Sequence, residues 1–171
     1  MTIESDAPLK TEWEGKYLSV LRRGRWEFVS RSGSTGAVVI LAEHDGKIIL
    51  IEQYRVPVGG RCLELPAGLV GDEDEQATIE ETAVKELEEE TGFTAERIER
   101  LGHFHSSPGM LSESFTLVRA HGVRKVGEGG GTDDEDIDVH LVARSEIPQL
   151  IERRRRADVS VDVKLLLFLD F

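Results

Sequence analysis

The sequence has a single cysteine, a shortage of positive charge and no long apolar run, and each shortage excludes a class of protein. Because Cys62 is the only cysteine among 171 residues, a disulfide framework is excluded and a reducing cytoplasm is predicted. No apolar stretch approaches the roughly 20 residues of a transmembrane helix. The acidic, polar start MTIESDAPLK does not resemble a signal peptide. We therefore expect a cytoplasmic protein with no membrane partner.

Negative charge dominates the composition and is unevenly distributed. The chain has 21 Lys and Arg against 33 Asp and Glu, a formal net charge of −12. Nucleic acids require a basic face, so nucleic acid is not expected as a partner. Residues 64–100 hold 13 acidic residues and three basic ones. Such a local excess indicates either a solvated acidic surface or a site for divalent metal.

The pattern of apolar residues predicts one domain of α+β class with a mixed sheet. Strands are predicted at Tyr17–Arg23, Trp26–Ser32, Val38–Leu41, Ile48–Ile51, Leu101–His105, Phe115–Ala120 and Ile137–Val142. Asp45-Gly46 lies between the third and fourth of these and suits a two-residue hairpin turn. Those two strands are apolar at consecutive positions, which predicts cover on both faces, with helices lying on the sheet.

A helix is predicted over Thr78–Thr91. Thr78 and Glu81 have the spacing of a capping box, and Gly92 suits the position after the last turn. Apolar residues recur every four positions at Ile79, Ala83 and Leu87, which gives the helix one buried stripe.

The C-terminal part of the chain predicts two further helices and a loop. Ser145 is expected to cap a helix that ends in the arginine run Arg153–Arg156, which we interpret as solvated. A closing helix is expected over Ser160–Phe168. Between Lys125 and Asp136, the glycine-rich and acidic sequence predicts a flexible loop too polar to pack.

Three carboxylates on the predicted helix point to metal. Glu86, Glu89 and Glu90, the helix glutamates, stand at positions i, i+3 and i+4 and therefore share one face. Two carboxylates about 6 Å apart repel by roughly 3 kcal/mol at an effective dielectric constant near 20. No lysine or arginine stands four residues after any of the three. Mg²⁺ would offset this repulsion, although the glutamates taken alone favour a solvated acidic face on an amphipathic helix.

The surrounding sequence resembles the Nudix hydrolase box, G-x5-E-x7-R-E-U-x-E-E-x-G-U, where U is a bulky aliphatic residue. Gly68 begins the box, and its second half matches from Glu86 to Gly92. Lys85 replaces the arginine and Phe93 the final aliphatic residue. Gly68 and Lys85 are 17 residues apart instead of 14, so the first glutamate of the box falls on Ala77, and Glu75 is a candidate to replace it.

Further segments resemble the ADP-ribose pyrophosphatases of that family over most of the chain. They are Gln53–Arg55, Leu63–Gly68, Ser107–Gly109, Trp26 with Arg31 five residues later, and Asp134–Ile137. Pro108 lies 16 residues after Gly92, the spacing of that subfamily. Taken one at a time, each segment also fits a plain structural role, such as a core tryptophan or a solvated loop.

The resemblance implies a fold, an assembly and an activity. Residues 35–171 would form a Nudix α/β/α sandwich, and residues 1–34 a small antiparallel strand region through which a homodimer forms. The implied activity is Mg²⁺-dependent hydrolysis of the diphosphate of ADP-ribose, or a related ADP-sugar, to AMP and ribose 5-phosphate. Two alternatives stay open: hydrolysis of another nucleoside diphosphate sugar such as GDP-mannose, and a non-catalytic nucleotide-binding domain.

The resemblance also implies roles for particular residues. The helix glutamates and the backbone carbonyl of Ala67 would hold two or three Mg²⁺ ions, for which Mn²⁺ could substitute. Glu135, in the late acidic loop, would act as general base, and Glu89 would also take part in catalysis. The residues implied in substrate binding are Trp26, Arg31, Arg55, Gly109 and Met110.

Overall fold

The computed structural model describes residues 4–32, 36–71, 74, 76–132 and 135–169. Two α-helices lie within these residues, α1 (Ile79–Thr91) and α2 (Ile147–Arg156). Short 3₁₀ segments cover Glu4–Asp6, Arg144–Glu146 and Val163–Phe168. The strands are β1 (Leu9–Glu14), β2 (Leu18–Arg23), β3 (Trp26–Arg31), β4 (Gly36–Leu41), β5 (Glu43–His44), β6 (Lys47–Arg55), β7 (Gly60–Glu64), β8 (Ala67–Val70), β9 (Phe93–Thr94), β10 (Arg97–His105), β11 (Ser114–His121), β12 (Arg124–Lys125), β13 (Ile137–Ala143) and β14 (Ser160–Val161).

The N-terminal strands form a sheet of their own, in the antiparallel order β1-β2-β3. The sequence predicted β2 and β3 but not β1, whose six residues are all exposed and therefore show no buried pattern. Backbone contacts of Val29, in β3, connect this sheet to residues 110 and 111. The Val29 N–H donates to the Met110 carbonyl at 2.9 Å, and Val29 forms an isolated parallel bridge with Leu111.

Two mixed sheets form the main body, in the orders β10-β11-β4-β8 and β13-β6-β7-β14. The strand pairs β4 with β11 and β7 with β14 are parallel, and the other pairs are antiparallel. The Asp45-Gly46 turn has φ angles of 49° and 73°, as predicted for a hairpin. It joins β5 to β6, however, because the chain leaves the sheet of β4 at Ala42.

Both predicted apolar runs are buried on consecutive residues, which confirms that the strands are covered on both faces. Two clusters of buried side chains result, and each draws residues from both mixed sheets. Helix α2 packs in the first cluster and α1 in the second, through Ala83 and Leu87. On β13, Ile137 is buried whereas Leu141 is 44% exposed. Mixed sheets flanked by helices, preceded by an antiparallel strand region, confirm the predicted fold class.

Helix α1 forms as predicted, whereas the last predicted helices need correction. Thr78 and Glu81 make the capping box, and Gly92 ends α1 in the left-handed region at φ 72°. Ser145 lies in a 3₁₀ turn and caps nothing; α2 begins two residues later, with Pro148 in its first turn. The predicted closing helix is instead strand β14, which pairs with β7, followed by a 3₁₀ segment that Asp162 caps.

Two features of the described residues bear on protein class. None of their helices is long and apolar enough to cross a membrane. Cys62 is 6% exposed, and burial raises the pKa of its thiol to about 12, with the nearby Glu64 carboxylate adding to the effect. A thiol with this pKa is not a nucleophile at neutral pH, so the prediction that Cys62 is a core residue is confirmed.

Candidate active site

The helix glutamates line one cavity of about 760 Å³. Helix α1 packs against β8, so its glutamate face lies beside the backbone of Ala67 and Gly68. Glu135 lines the same cavity although it is 45 residues further along the chain than Glu90. The structure therefore brings together the predicted metal ligands and the predicted base.

Glu90 is the buried member of the group. Its carboxylate is 4% exposed, and Oε2 accepts a hydrogen bond of 3.0 Å from the Ala67 N–H. Burial, together with the like charges of Glu86 and Glu135, raises the pKa of Glu90 to about 8. The hydrogen bond from the Ala67 N–H and the charge of Arg55 act in the opposite direction. A carboxylate kept partly protonated by burial and like charges indicates a place where positive charge is needed.

Glu86 lies against β8, and its carboxylate occupies the space beside Gly68 that a larger side chain would take. A Cβ on Gly68 would come within 2.0 Å of Glu86 Oε1 and 2.1 Å of its Cδ. The glycine that begins the box therefore makes room for a carboxylate of the helix. The two halves of the sequence motif, which contain Gly68 and Glu86, are therefore neighbours in the structure.

Glu89 stands at the more open side of the cavity and has a cationic neighbour. Lys85 Nζ lies 3.7 Å from Glu89 Oε1, one helical turn before it. The lysine that replaces the arginine of the box thus pairs with a glutamate of the same helix. Because Lys85 precedes Glu89, a search for cations four residues after each glutamate does not detect this pair. A surface pair of this kind is worth about 0.3–0.5 kcal/mol and offsets little of the local repulsion.

The donor set around the cavity fits a hard cation such as Mg²⁺, since carboxylate oxygens are the ligands it prefers. Among the described residues, no three His, Cys, Asp or Glu side chains already converge closely enough to hold an ion. Ala67 contributes its N–H to Glu90, and its carbonyl stays a predicted ligand.

The loop that bears Glu135 is packed where the structure describes it, which corrects the expectation of a loop too polar to pack. The N–H groups of Gly130 and Gly131 donate to the carbonyls of Glu90 and Glu89 at 2.9 and 3.0 Å. A Cβ on Gly129 would lie 2.3 Å from the backbone of Thr91. The last carbonyls of a helix lack partners within it, and this glycine stretch supplies them.

The Glu135 side chain is held by its own loop. Its Oε2 accepts hydrogen bonds from the N–H and the hydroxyl of Thr132, at 3.0 and 3.2 Å. Glu135 is exposed to solvent at the edge of the cavity. Glu75, the candidate for the missing glutamate of the box, lies outside the described residues. Ala77 lines the cavity at the position given by the spacing.

Arg31 and Arg55 line a second cavity of about 510 Å³, which shares Arg55, Ala67 and Gly68 with the first. Each arginine is paired with a carboxylate. Arg55 makes a two-pronged contact with the buried Glu64, at 2.8 and 2.7 Å. Arg31 Nε donates to Glu113 at 2.7 Å. No sequence motif indicated Glu113, which is 82 residues away from its partner.

Trp26, Gly109 and Met110 are not brought to the helix glutamates within one chain. Trp26 and Gly109 line a separate cavity of about 370 Å³, and Trp26 is 57% exposed. Met110 is 58% exposed and accepts a hydrogen bond from Val29 through its carbonyl. The described residues therefore separate the predicted substrate residues into two groups, with the arginines beside the glutamates and the tryptophan away from them.

Comparisons with known proteins agree with this geometry. The chain is 39% identical over 126 residues to a methanol dehydrogenase activator from Bacillus methanolicus and 37% identical over 125 residues to an ADP-ribose pyrophosphatase from Bacillus subtilis. Each match covers 72% of this chain and 66% of the relative, just under two thirds of its length. A GDP-mannose pyrophosphatase from Enterobacter is 31% identical, with 80% of this chain and 72% of the relative covered.

A solved structure supports the fold. The crystal structure of an ADP compounds hydrolase superposes with a TM-score of 0.71, covering 94% of this chain and 89% of that one, at 22% sequence identity. The family model of the NUDIX domain matches residues 33–161, which include both mixed sheets and both helices. With the helix glutamates, Gly68 and Ala67 placed around one cavity within that span, the chain belongs to the NUDIX family.

Proposed function

We propose that this protein hydrolyses the diphosphate of ADP-ribose, with Mg²⁺, to AMP and ribose 5-phosphate. The observation that carries the proposal is the arrangement of two adjoining cavities. One is lined by the helix glutamates and Glu135, the other by Arg31 and Arg55. A diphosphate needs cations on both sides. Metal ions held by the carboxylates would supply them on one side, and the guanidinium groups supply them on the other. The ADP-ribose pyrophosphatase among the relatives supports this substrate.

In this proposal the helix glutamates and the Ala67 carbonyl hold two or three Mg²⁺ ions, or Mn²⁺ in their place. When bound, the ions would neutralise the diphosphate and lower the pKa of a water molecule. Glu90 must lose its proton to bind metal, so metal binding and proton release are linked at this residue. Glu135, at the cavity edge, would take the proton of the attacking water, and Glu89 would serve as one of the metal ligands.

The two arginines keep donors available for substrate. Arg31 engages Glu113 through Nε, and Arg55 engages Glu64 through Nε and Nη2. Within the described residues, this leaves both Nη groups of Arg31 and Nη1 of Arg55 for phosphate or ribose oxygens. The carboxylate partners fix the planes of the two guanidinium groups, which lowers the entropy lost on binding.

A comparison of substrates tests the proposed activity. We expect the highest kcat/KM with ADP-ribose in Mg²⁺, AMP as a product, and no turnover after chelation of metal. The panel contains GDP-mannose, other sugar nucleotides and dinucleotides, with released AMP and GMP quantified by chromatography. Faster release of GMP from GDP-mannose would replace ADP-ribose as the substrate. Binding of nucleotides without turnover of any would identify a non-catalytic domain.

GDP-mannose is the second candidate because a GDP-mannose pyrophosphatase is among the relatives. The helix glutamates do not distinguish the two substrates, since both contain a diphosphate. The surface that binds the base must therefore distinguish adenine from guanine. For this surface we propose Trp26 as the stacking residue, with Gly109 and Met110 beside it.

We also propose that residues 1–34 form a dimerising region and residues 35–171 the hydrolase domain. The N-terminal sheet exposes large apolar side chains, namely Leu9, Trp13, Tyr17, Leu18 and Trp26, each at least 40% exposed. Burial of such a patch against a second copy is the usual reason for its presence. A homodimer would also bring Trp26 of one protomer towards the cavity of its partner.

Replacement of two aromatic residues tests the dimer. Trp13→Lys with Tyr17→Lys is expected to convert a dimer to a monomer in light scattering, because both side chains are more than half exposed on this sheet. Leu141→Lys, a comparably exposed apolar residue on β13, serves as the matched control and should stay dimeric. A wild-type protein that is monomeric at all concentrations would remove the dimer from the proposal.

A further inference from the structure

Arg61 on β7 connects the sheet to the segment that bears Glu135. Its Nε donates to Glu52 Oε1 at 3.1 Å, and its Nη2 donates to the Glu52 carbonyl at 2.7 Å. On the other side, Nη1 donates to Asp136 at 3.1 Å and Nη2 to Asp138 at 2.7 Å. Asp136 follows Glu135 directly in the sequence, so one guanidinium group bridges a strand of the sheet and the residue next to the proposed base.

The Glu52 end of this bridge is fixed in the protein interior. The Glu52 side chain is 5% exposed and has two more neighbours, Arg154 Nε at 3.0 Å and His140 Nε2 at 3.5 Å. Burial and the charge of Arg154 lower the pKa of His140, so Arg154 is the cation of this pair at neutral pH. The Arg154 N–H does not point at the oxygen, so that contact is an ion pair and not a hydrogen bond. Arg154 belongs to the arginine run that we interpreted as solvated, and this ion pair corrects that interpretation for Arg154 alone, since Arg153, Arg155 and Arg156 are exposed.

Glu135 thus lies between two fixed points. On its N-terminal side, Gly130 and Gly131 are bound to the last turn of α1. On its C-terminal side, Asp136 and Asp138 are bound to Arg61. Arg61 also places one positive charge between the carboxylates of Asp136 and Asp138, which carry like charges. Arg61 is not among the described residues that line the cavity. Any effect of Arg61 on Glu135 therefore passes through its contacts with Asp136 and Asp138.

An arginine suits this position better than a lysine. Arg61 makes four contacts with acceptors on three residues, in directions that a planar guanidinium group provides at once. A lysine ammonium group could keep the charge but could not span Glu52 and both aspartates with fixed geometry. The number of contacts therefore indicates positioning and not charge balance alone.

We propose that Arg61 is a positioning residue that fixes Glu135 at the edge of the cavity through Asp136 and Asp138. This inference rests on the proposed function, since it assumes that Glu135 acts as the base. Arg61 would act on the rate of the chemical step and not on substrate affinity. A misplacement of a catalytic group by about 1 Å can cost roughly 10²-fold in rate.

Two arginine variants with a matched control test the proposal. Arg61→Gln is expected to lower kcat by roughly 10- to 100-fold with KM changed less than about threefold, and Arg61→Lys should restore part of the loss. Arg154→Gln is the control, because it removes a cation from the same Glu52 but is not bonded to Asp136 or Asp138. We expect both variants to melt at a lower temperature and only Arg61→Gln to lose turnover. Equal losses of kcat in the two would overturn the proposal.

A double-mutant cycle and hydrogen exchange separate this inference from the proposed function. Arg61→Gln combined with Glu135→Gln should be no slower than Glu135→Gln alone, since Arg61 acts through Glu135. Amide exchange over residues 130–137 should increase in Arg61→Gln and not in Arg154→Gln. If Glu135→Gln turns over at the wild-type rate, the proposed base is wrong. If Glu135→Gln is slow but the two losses add, only the role of Arg61 is wrong.

A second variant keeps the proposal testable if Arg61→Gln fails to fold. Asp138→Asn weakens the bridge at the start of β13, next to the loop, and leaves Arg61 bound to Glu52. It should lower kcat at unchanged KM and increase exchange over residues 130–137. Wild-type kcat together with wild-type exchange would contradict the proposal.

Discussion

Replacement of Glu90 by glutamine should lower kcat about 10³-fold while the metal-free protein keeps its fold. The loss corresponds to several kcal/mol of metal-dependent stabilisation of the transition state, at 1.36 kcal/mol per decade. Glutamine has the shape of glutamate and can still accept the hydrogen bond from the Ala67 N–H. Steady-state kinetics with ADP-ribose and Mg²⁺, together with calorimetric titration of Mn²⁺, measure the effect.

Glu88→Gln is the matched control for Glu90. Glu88 lies on the same helix with the same charge but is exposed, and it is not among the described residues that line the cavity. It should retain wild-type turnover and metal affinity. Near-wild-type turnover in Glu90→Gln would remove this residue from the metal site.

The same variant should change how stability depends on pH. Burial raises the pKa of Glu90 from 4.5 to about 8, so the folded metal-free protein holds this proton more tightly than the unfolded chain does. The stabilisation is complete below about pH 4.5 and is lost as the pH rises through about 8. Above about pH 8 the wild type must bury a charged carboxylate, whereas glutamine stays neutral at every pH. The melting temperature of Glu90→Gln should therefore exceed that of the wild type most clearly at pH 8 and above.

Replacement of Glu135 by glutamine should lower kcat roughly 10²-fold or more, the usual contribution of a general base. KM should change little, because Glu135 is exposed at the cavity edge and makes its contacts with Thr132, within its own loop. The amide can keep one of these contacts, so the loop should hold its position. Initial rates over a range of ADP-ribose concentrations separate the two constants.

Glu128→Gln is the matched control for Glu135, since Glu128 is an exposed glutamate of the same loop outside the cavity lining of the described residues. It should behave as wild type. If Glu135→Gln turns over normally while Asp134→Asn does not, another acid of this loop is the base and the assignment is wrong.

Local signals in the sequence were sufficient to predict helix α1 and the three carboxylates on one of its faces. Thr78, Glu81 and Gly92 set both ends of α1, because a capping box and a left-handed glycine act within one turn of the chain. Helical spacing then put three glutamates on one face. The Asp45-Gly46 turn was predictable for the same reason, since positive φ at two successive positions restricts the residues that fit.

Contacts between distant residues were not predictable in this way. The sequence does not indicate that β4 and β6 belong to different sheets, because consecutive apolar residues fit either arrangement. It also gave no sign that the glycine loop would bond to the end of α1, or that Glu64 and Glu113 would hold the two arginines. The expectation of a loop too polar to pack neglected the unpaired carbonyls at the helix end.

The sequence by itself determined which groups are available for chemistry: three carboxylates at helical spacing, a glycine before them and an acid in a late loop. Only the tertiary structure decided that Glu90 is buried, that Gly68 makes room for Glu86, and that Glu135 lies at the same cavity. The reason is physical. Spacing fixes neighbours along one element, whereas burial and the pKa values that follow from it depend on what packs against that element.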